Sequence, residues 1–454
     1  MRPKNEEQKL PTALAGSDLT TTSFEDLGLP GTLVDVLRRR GITRPLPIQA
    51  AAIADVLAGR DLCGKAPTGS GKTLAFALPI AATLSRSAPK RPRGLVLAPT
   101  RELAGQIAAE MAPLLTAHAL RVYPFYGGVG FGGQRHALRR GADVAVACPG
   151  RLEDLMATGD IDLSDVEIAV VDEADRMADM GFLPAVRRIL DATSSSRQTL
   201  LFSATLDGDV DVLVRRYQRH PVRHEVSARE EVNRASHEFR AVASADRAAL
   251  CAELVLAPGS SVVFVRTKLG ADRVARSLKN SGVAAGAIHG DRSQAQRERT
   301  LADFRAGKLQ ALVATDVAAR GIHVDDIARV IHYDLPADIK DYVHRSGRTA
   351  RAGAGGTVVA FVTPEKRALA ASLQSGLRVS DSRPGAISHV ESHHPPSPGS
   401  GAKGVPARGA RRRVDELSRK RRARHRDAAA RSGARASTQG RQGRAGASRP
   451  RKPR

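Results

Sequence analysis

Short apolar runs with no polar face recur along this chain, each followed by a stretch long enough for a helix. The first series is Gly94–Ala98 (GLVLA), Val144–Ala147 (VAVA), Ile168–Val171 (IAVV) and Thr199–Phe202 (TLLF). A second is Ser261–Val265 (SVVFV), Ala284–Ile288 (AAGAI), Ala311–Ala314 (ALVA), Val330–His332 (VIH) and Thr357–Val362 (TVVAFV). Strands apolar on both faces suit a parallel sheet covered by helices on both sides. The spacing therefore predicts an α/β chain with two tandem open, mostly parallel sheets flanked by helices, joined near Arg223–Arg234. The expected organisation is a flexible lead-in at 1–22, domains at 23–225 and 233–378, and a disordered Arg-rich tail at 379–454.

Composition narrows the function classes. No apolar run approaches the roughly 18 residues of a membrane span; the best, Leu74 to Ala82, is broken by Pro79. The N-terminus MRPKNEEQKL lacks a signal-peptide core, so a cytoplasmic, non-membrane protein is expected. Cys63, Cys148 and Cys251 lie far apart, which argues against a disulfide framework or a Cys-rich zinc site. The formal net charge is +24, and residues 401–454 carry nineteen Lys and Arg against three Asp and Glu. The excess is mainly a property of the tail, and its simplest partner is a phosphate polymer.

Three local patterns carry chemistry. APTGSGKT, Ala66 to Thr73, sits between a strand expected at Asp61–Gly64 and an apolar helix. Small residues Thr68, Gly69, Ser70 and Gly71 let backbone amides close around phosphate oxygens; Lys72 would reach the β/γ-phosphates and Thr73 would ligate Mg²⁺. Asp172-Glu173-Ala174-Asp175 follows the strand IAVV, where ligands of open sheets bind. Asp172 suits the metal shell and Glu173 the attacking water. HRSGRTAR, His344 to Arg351, offers Arg348 and Arg351 as fingers for a transferring phosphoryl group.

Together these motifs resemble the DEAD-box ATP-dependent RNA helicases, of the bacterial type, from about Phe24 to Val362. The resemblance implies that GITRPLPIQ (Gly41–Gln49) recognises adenine, with Gln49 hydrogen-bonding the base and Phe24 stacking on it. Ser203 and Thr205 of SAT would couple hydrolysis to unwinding, and His344 would join the catalytic set. Pro99, Thr100 and Arg101, Gly127 and Gly128, and Pro149, Gly150 and Arg151 would grip the RNA backbone from the first domain. Arg266, Thr267, Arg297 and Thr315 would do so from the second. The implied cofactors are ATP and Mg²⁺. The implied partners are RNA, held largely without sequence preference and with help from the tail, and ribonucleoprotein or RNA-decay factors, around a monomeric core. ATP and RNA would clamp the domains, bend one strand and separate a few base pairs.

Several positions depart from the family pattern: Leu46 for Thr, Ile42 for an aromatic, Pro67 for Gln, Cys148 for Thr, Ser346 for Ile, Ala350 for Gly, and His323 for the Asp that helps hold ribose. None removes an implied catalytic group. The competing readings are a GTPase or transporter ATPase, which lacks NKxD and LSGGQ elements here, a DNA-directed helicase, and an RNA-annealing protein with little helicase activity.

Overall fold

A computed structural model describes residues 22–67, 69–206, 208–226, 235–319, 327–350, 355–380 and 387–388. Thr68, His323, Arg351 and the tail beyond residue 388 lie outside the described residues, and with them the expectations placed there. Among the described residues no helix is long and apolar enough to cross a membrane.

The first sheet contains β1 (Leu62–Lys65), β2 (Gly94–Leu97), β3 (Val122–Phe125), β4 (Val144–Ala147), β5 (Ile168–Asp172), β6 (Gln198–Ser203) and β7 (Val222–Glu225). The second contains β8 (Ala235–Ala241), β9 (Ser260–Phe264), β10 (Ala285–Ile288), β11 (Ala311–Ala314), β12 (Ile327–His332), β13 (Gly356–Val362) and the two-residue β14 (Ile387–Ser388). Their spatial orders are β3-β4-β2-β5-β6-β1-β7 and β10-β11-β9-β12-β13-β8-β14. Seven added to each number of the first gives the second, so one topology is used twice. Every strand pair in both sheets is parallel.

The apolar runs form strands because both their faces are buried. In β2, Val96 joins one core with Val144 and Val170, while Leu95 and Leu97 join the opposite core with Ala145 and Val171. The strands without such runs lie at or near sheet margins. β3 is an edge strand containing Pro124, tolerated there because an edge leaves one side of the ladder unpaired. β7 (VRHE) and β8 (ASHEFRA) alternate buried or half-buried with exposed positions. Arg223, expected at the start of the join, is thus within β7, paired with Cys63.

Helix starts follow local chemistry. Thr100 caps the helix Arg101–Ala117 by accepting from the Leu103 N–H at 3.3 Å. Thr267 does the same for Lys268–Asn280, accepting from Gly270 at 3.0 Å. The two threonines occupy equivalent places, after β2 and after β9.

Candidate nucleotide and RNA cleft

The phosphate loop leaves β1, the acidic quartet leaves β5, and Ser203 ends β6, so all three emerge from the C-terminal ends of neighbouring strands. The loop turns through Gly69 and Gly71, at φ +93° and +85°, a region open to glycine at little cost. Gly71 then starts the helix Lys72–Thr83. The Lys72 ammonium is 7 % exposed and donates to the carbonyls of Ala66 at 2.8 Å and Pro67 at 2.9 Å. Burial pushes its pKa down, against the pull of Asp172, Glu173 and Asp175. Burial also lifts the Asp172 carboxyl to about 7, partly offset by Lys72. Each member of this buried pair is biased toward its neutral form, because low dielectric disfavours both charges.

Ser203 ties the pieces together. Its carbonyl accepts from the Ala66 N–H at 3.0 Å, and its hydroxyl accepts from the Asp175 N–H at 3.2 Å. Glu173 sits at φ +54° as the first cap of the helix Ala174–Asp179, and its Oε2 accepts from Arg176 at 2.9 Å with both side chains buried. The i, i+3 spacing of Glu173 and Arg176 was readable in sequence, although only the structure shows the acid held this way.

A cavity of about 770 Å³ opens beside these groups, bordered by Ile42, Gln49, Gly71, Lys72, Asp172 and Glu173 among others. Gln49 is turned inward: it donates to the Gly71 carbonyl at 3.0 Å and accepts from the Leu46 N–H at 2.9 Å. That second bond is the backward half of a capping box, and it serves a helix start where Leu46 brings no side-chain oxygen. Phe24 is 1 % exposed within the first sheet's core, beside Leu27 and Leu33, and is not among the residues bordering the cavity.

The second sheet contributes the helix Ile339–Ser346 and the turn after it. Tyr342 is fully buried, stacked on His332 at 4.4 Å and on Phe239 at 5.6 Å. Arg345 forks onto Asp316 at 2.6 and 2.7 Å and donates to the Asp334 carbonyl, so it is a structural member of HRSGRTAR. Ser346, in place of the family's Ile, donates to the Tyr342 carbonyl at 2.7 Å and lies 3.4 Å from the buried His332 ring nitrogen. The substitution thus supplies a polar neighbour to a histidine that has few. Arg348 is buried, and Ala350 adopts φ +57° where the family has Gly. His344 faces Arg176 and Asp175 of the first sheet; burial first, then Arg176, holds its pKa down at about 4.

The sequence-derived RNA residues are placed on both sheets' flanking segments. The Arg101 guanidinium packs against Gly128, φ +81°, close enough that a Cβ there would displace it. Gly127 precedes it, and Pro99 and Thr100 lead into the helix carrying Arg101. Pro149 opens the helix Pro149–Ala157, with Gly150 and Arg151 in its first turn. Arg151 lies 4.0 Å over the Phe131 ring and donates to the Val129 carbonyl. From the second sheet, Arg297 pairs with Glu102 at 2.8 Å, both buried. Arg266 is exposed, its N–H on Asp334, and Thr315 is buried after β11. Both Glu102 oxygens, Arg151 Nε and Nη1, and Arg297 Nε lack aligned protein partners. Glu102 Oε2 is nevertheless within ion-pair distance of Arg297, so the buried charges here are compensated electrostatically more than by aligned hydrogen bonds.

The chain matches the DEAD/DEAH box helicase model over residues 46–213 and the helicase conserved C-terminal domain model over 246–353. It is 40 % identical over 405 residues to the DEAD-box ATP-dependent RNA helicase 20 of Arabidopsis thaliana, covering 86 % of this chain and 80 % of that protein. It belongs to the DEAD-box family. A second DEAD-box relative, the ATP-dependent RNA helicase DBP2 of Candida glabrata, is 41 % identical, covering 79 % and 68 % of the two chains. The chain spans about half to four fifths of the length of these and similar relatives. The Saccharomyces cerevisiae Dbp5 structure bound to RNA and ADP BeF3 superposes with a TM-score of 0.71 at 28 % identity, covering 79 % of this chain and 93 % of that one. These DEAD-box relatives come from a plant and yeasts, so the bacterial subtype expected from the motifs finds no support in them.

Proposed function

We propose that this DEAD-box chain is an RNA-stimulated ATPase that uses ATP binding to clamp single-stranded RNA and hydrolysis to release it, opening short duplexes or remodelling ribonucleoprotein. The observation that carries this reading is a pair of bridges between the two sheets. Lys340 meets Asp179 on the nucleotide side, and Arg297 meets Glu102 on the RNA side. Each pair joins a helix of one sheet to a helix of the other, beside the groups assigned to nucleotide and to RNA.

In this reading Lys72 leaves the loop carbonyls for the β/γ-phosphates, Arg348 neutralises charge that develops on the transferring group, and Glu173 orients the attacking water. Thr73 and Asp172 suit Mg²⁺, which would supply charge neutralisation at the phosphates. An ion of this kind is commonly held by one or two carboxylates together with substrate phosphates and water. Thr205, His344 and Arg351 complete the assigned set by family position, and the basic tail adds electrostatic RNA affinity. The proposed setting is cytoplasmic. Protein partners are ribonucleoprotein or RNA-decay factors acting on a monomeric core.

The test is ATP hydrolysis with RNA, with DNA and without nucleic acid, together with strand separation of a short RNA duplex. RNA-specific stimulation with ATP-dependent separation is expected. Equal stimulation by DNA rejects the RNA assignment, and annealing without separation favours the RNA-annealing alternative.

A further inference from the structure

The edge of the first sheet opposite the nucleotide loop carries a groove of about 270 Å³ that the mechanism does not use. Arg121, Tyr123, His136 and Arg140 line it, between β3, the helix Arg101–Ala117 and the helix Phe131–Arg139. All four side chains are exposed, as is neighbouring Arg139. Among the described residues none of the three arginines forms an ion pair, although Arg121 Nη1 donates to the Arg140 carbonyl at 2.6 Å; the nearby Asp143 is buried, accepting from the Arg121 and Ser87 backbone N–H groups. Tyr123 is 44 % exposed and is the single aromatic among the large apolar side chains the described surface leaves open. Its ring shares the groove with Arg121 and Arg140, in a chain where aromatic residues are 3 % of the whole.

We propose that this groove is an accessory RNA contact, in which a base stacks on Tyr123 while Arg121 and Arg140 hold the flanking phosphates. Cationic side chains around an exposed aromatic face match the alternation of base and phosphate in a single strand. A peptide strand is a poorer occupant, because Pro124 removes a backbone donor from the β3 edge. Tyr123 lies four residues before Gly127 in the chain, so the groove and the glycine pair belong to the same strand and the loop that follows it. The inference rests on the RNA reading of the cleft.

The experiment compares a short oligouridylate, sized to fill the cleft, with a long one, using the full chain and a non-hydrolysable ATP analogue. Wild type should bind the long RNA more tightly, and a 4-thiouridine in the overhang should crosslink to the groove. Tyr123→Ala combined with Arg140→Gln should lower long-RNA affinity by roughly five- to hundredfold while leaving short-RNA affinity and ATPase at saturating RNA unchanged. Tyr123→Phe should retain the wild-type preference, and Arg121→Gln should flatten the salt slope by about 0.7 for one lost phosphate. Unchanged long-RNA affinity, or equal losses on short and long RNA, overturns the accessory contact. Failure of wild type to bind even the short RNA overturns the cleft reading instead.

Discussion

Lys340, in the first turn of the helix that leads to His344 and Arg348, donates to Asp179 Oδ1 at 2.9 Å, at the end of the helix that follows the acidic quartet. The bond joins the second sheet to the first beside the nucleotide groups. Both side chains are partly exposed, at 41 and 30 %, so water and salt screen the pair. Lys340→Glu should raise the ATP concentration for half-maximal RNA-stimulated hydrolysis by a few-fold, in line with about 0.2–1 kcal/mol for such pairs. Adding Asp179→Lys should restore it, and the defect should shrink at high salt. Steady-state kinetics of the singles and the swap measure this; a swap no better than Lys340→Glu alone denies the pair a role in closure.

Lys72→Ala and Glu173→Gln should separate binding from hydrolysis. The first deletes the phosphate countercharge and should weaken ATP binding. The second keeps the shape and loses the carboxylate, so ATP should bind while turnover slows and RNA stays clamped. Equilibrium nucleotide binding and RNA release rates distinguish them, and wild-type hydrolysis by Glu173→Gln refutes the water-orienting role.

Two glycine substitutions should split the cleft in the same manner. A Cβ at Gly71 runs into Gln49 and one at Gly128 into the Arg101 guanidinium, both at positive φ. Gly71→Ala should impair ATP binding, and Gly128→Ala should lower RNA affinity about tenfold with ATP binding intact, given roughly 1–2 kcal/mol of backbone strain plus the displaced contact. Filter binding and nucleotide fluorescence provide the two readouts.

Ala350 holds φ +57° while buried, a conformation costing an L-residue about 1–2 kcal/mol. Ala350→Gly should relieve it, less the roughly 0.4–1 kcal/mol that glycine gains in the unfolded chain. Net stabilisation near ~0.5–1 kcal/mol is expected in urea unfolding of the second domain. A destabilised variant contradicts the strain.

Acid should destabilise the second sheet before the first. Burial holds His344 down at about 4 and His332 well below its ordinary value of 6.5, with Arg176 and Arg345 respectively adding to the effect. Between pH 6.5 and 4 the unfolded chain binds protons that these buried rings refuse, so stability falls as pH falls. Asp172, lifted to about 7, acts oppositely, since the folded first sheet takes its proton earlier. Amide exchange of β12 and β13 should therefore speed up between pH 6.5 and 4.5 relative to β5 and β6; equal behaviour of the two sheets contradicts the assignment.

Much of the fold was legible because buried parallel strands must be apolar on both faces. GLVLA, VAVA, IAVV and TLLF are the central strands β2, β4, β5 and β6 within a residue or so. The margins were not legible, since β3, β7 and β8 bury fewer positions and Pro124 speaks against a strand until its edge position is known. The sequence by itself determined the phosphate loop, the acids after β5 and the HRSGRTAR segment, because their chemistry depends on local spacing. Only the tertiary structure decided that Phe24 is core, that Arg345 belongs to Asp316, that Arg297 belongs to Glu102, and that Ser203 joins the phosphate loop to Asp175. Those pairings link residues dozens to hundreds of positions apart. Which partner a charge or hydroxyl finds depends on which loops the two sheets bring side by side.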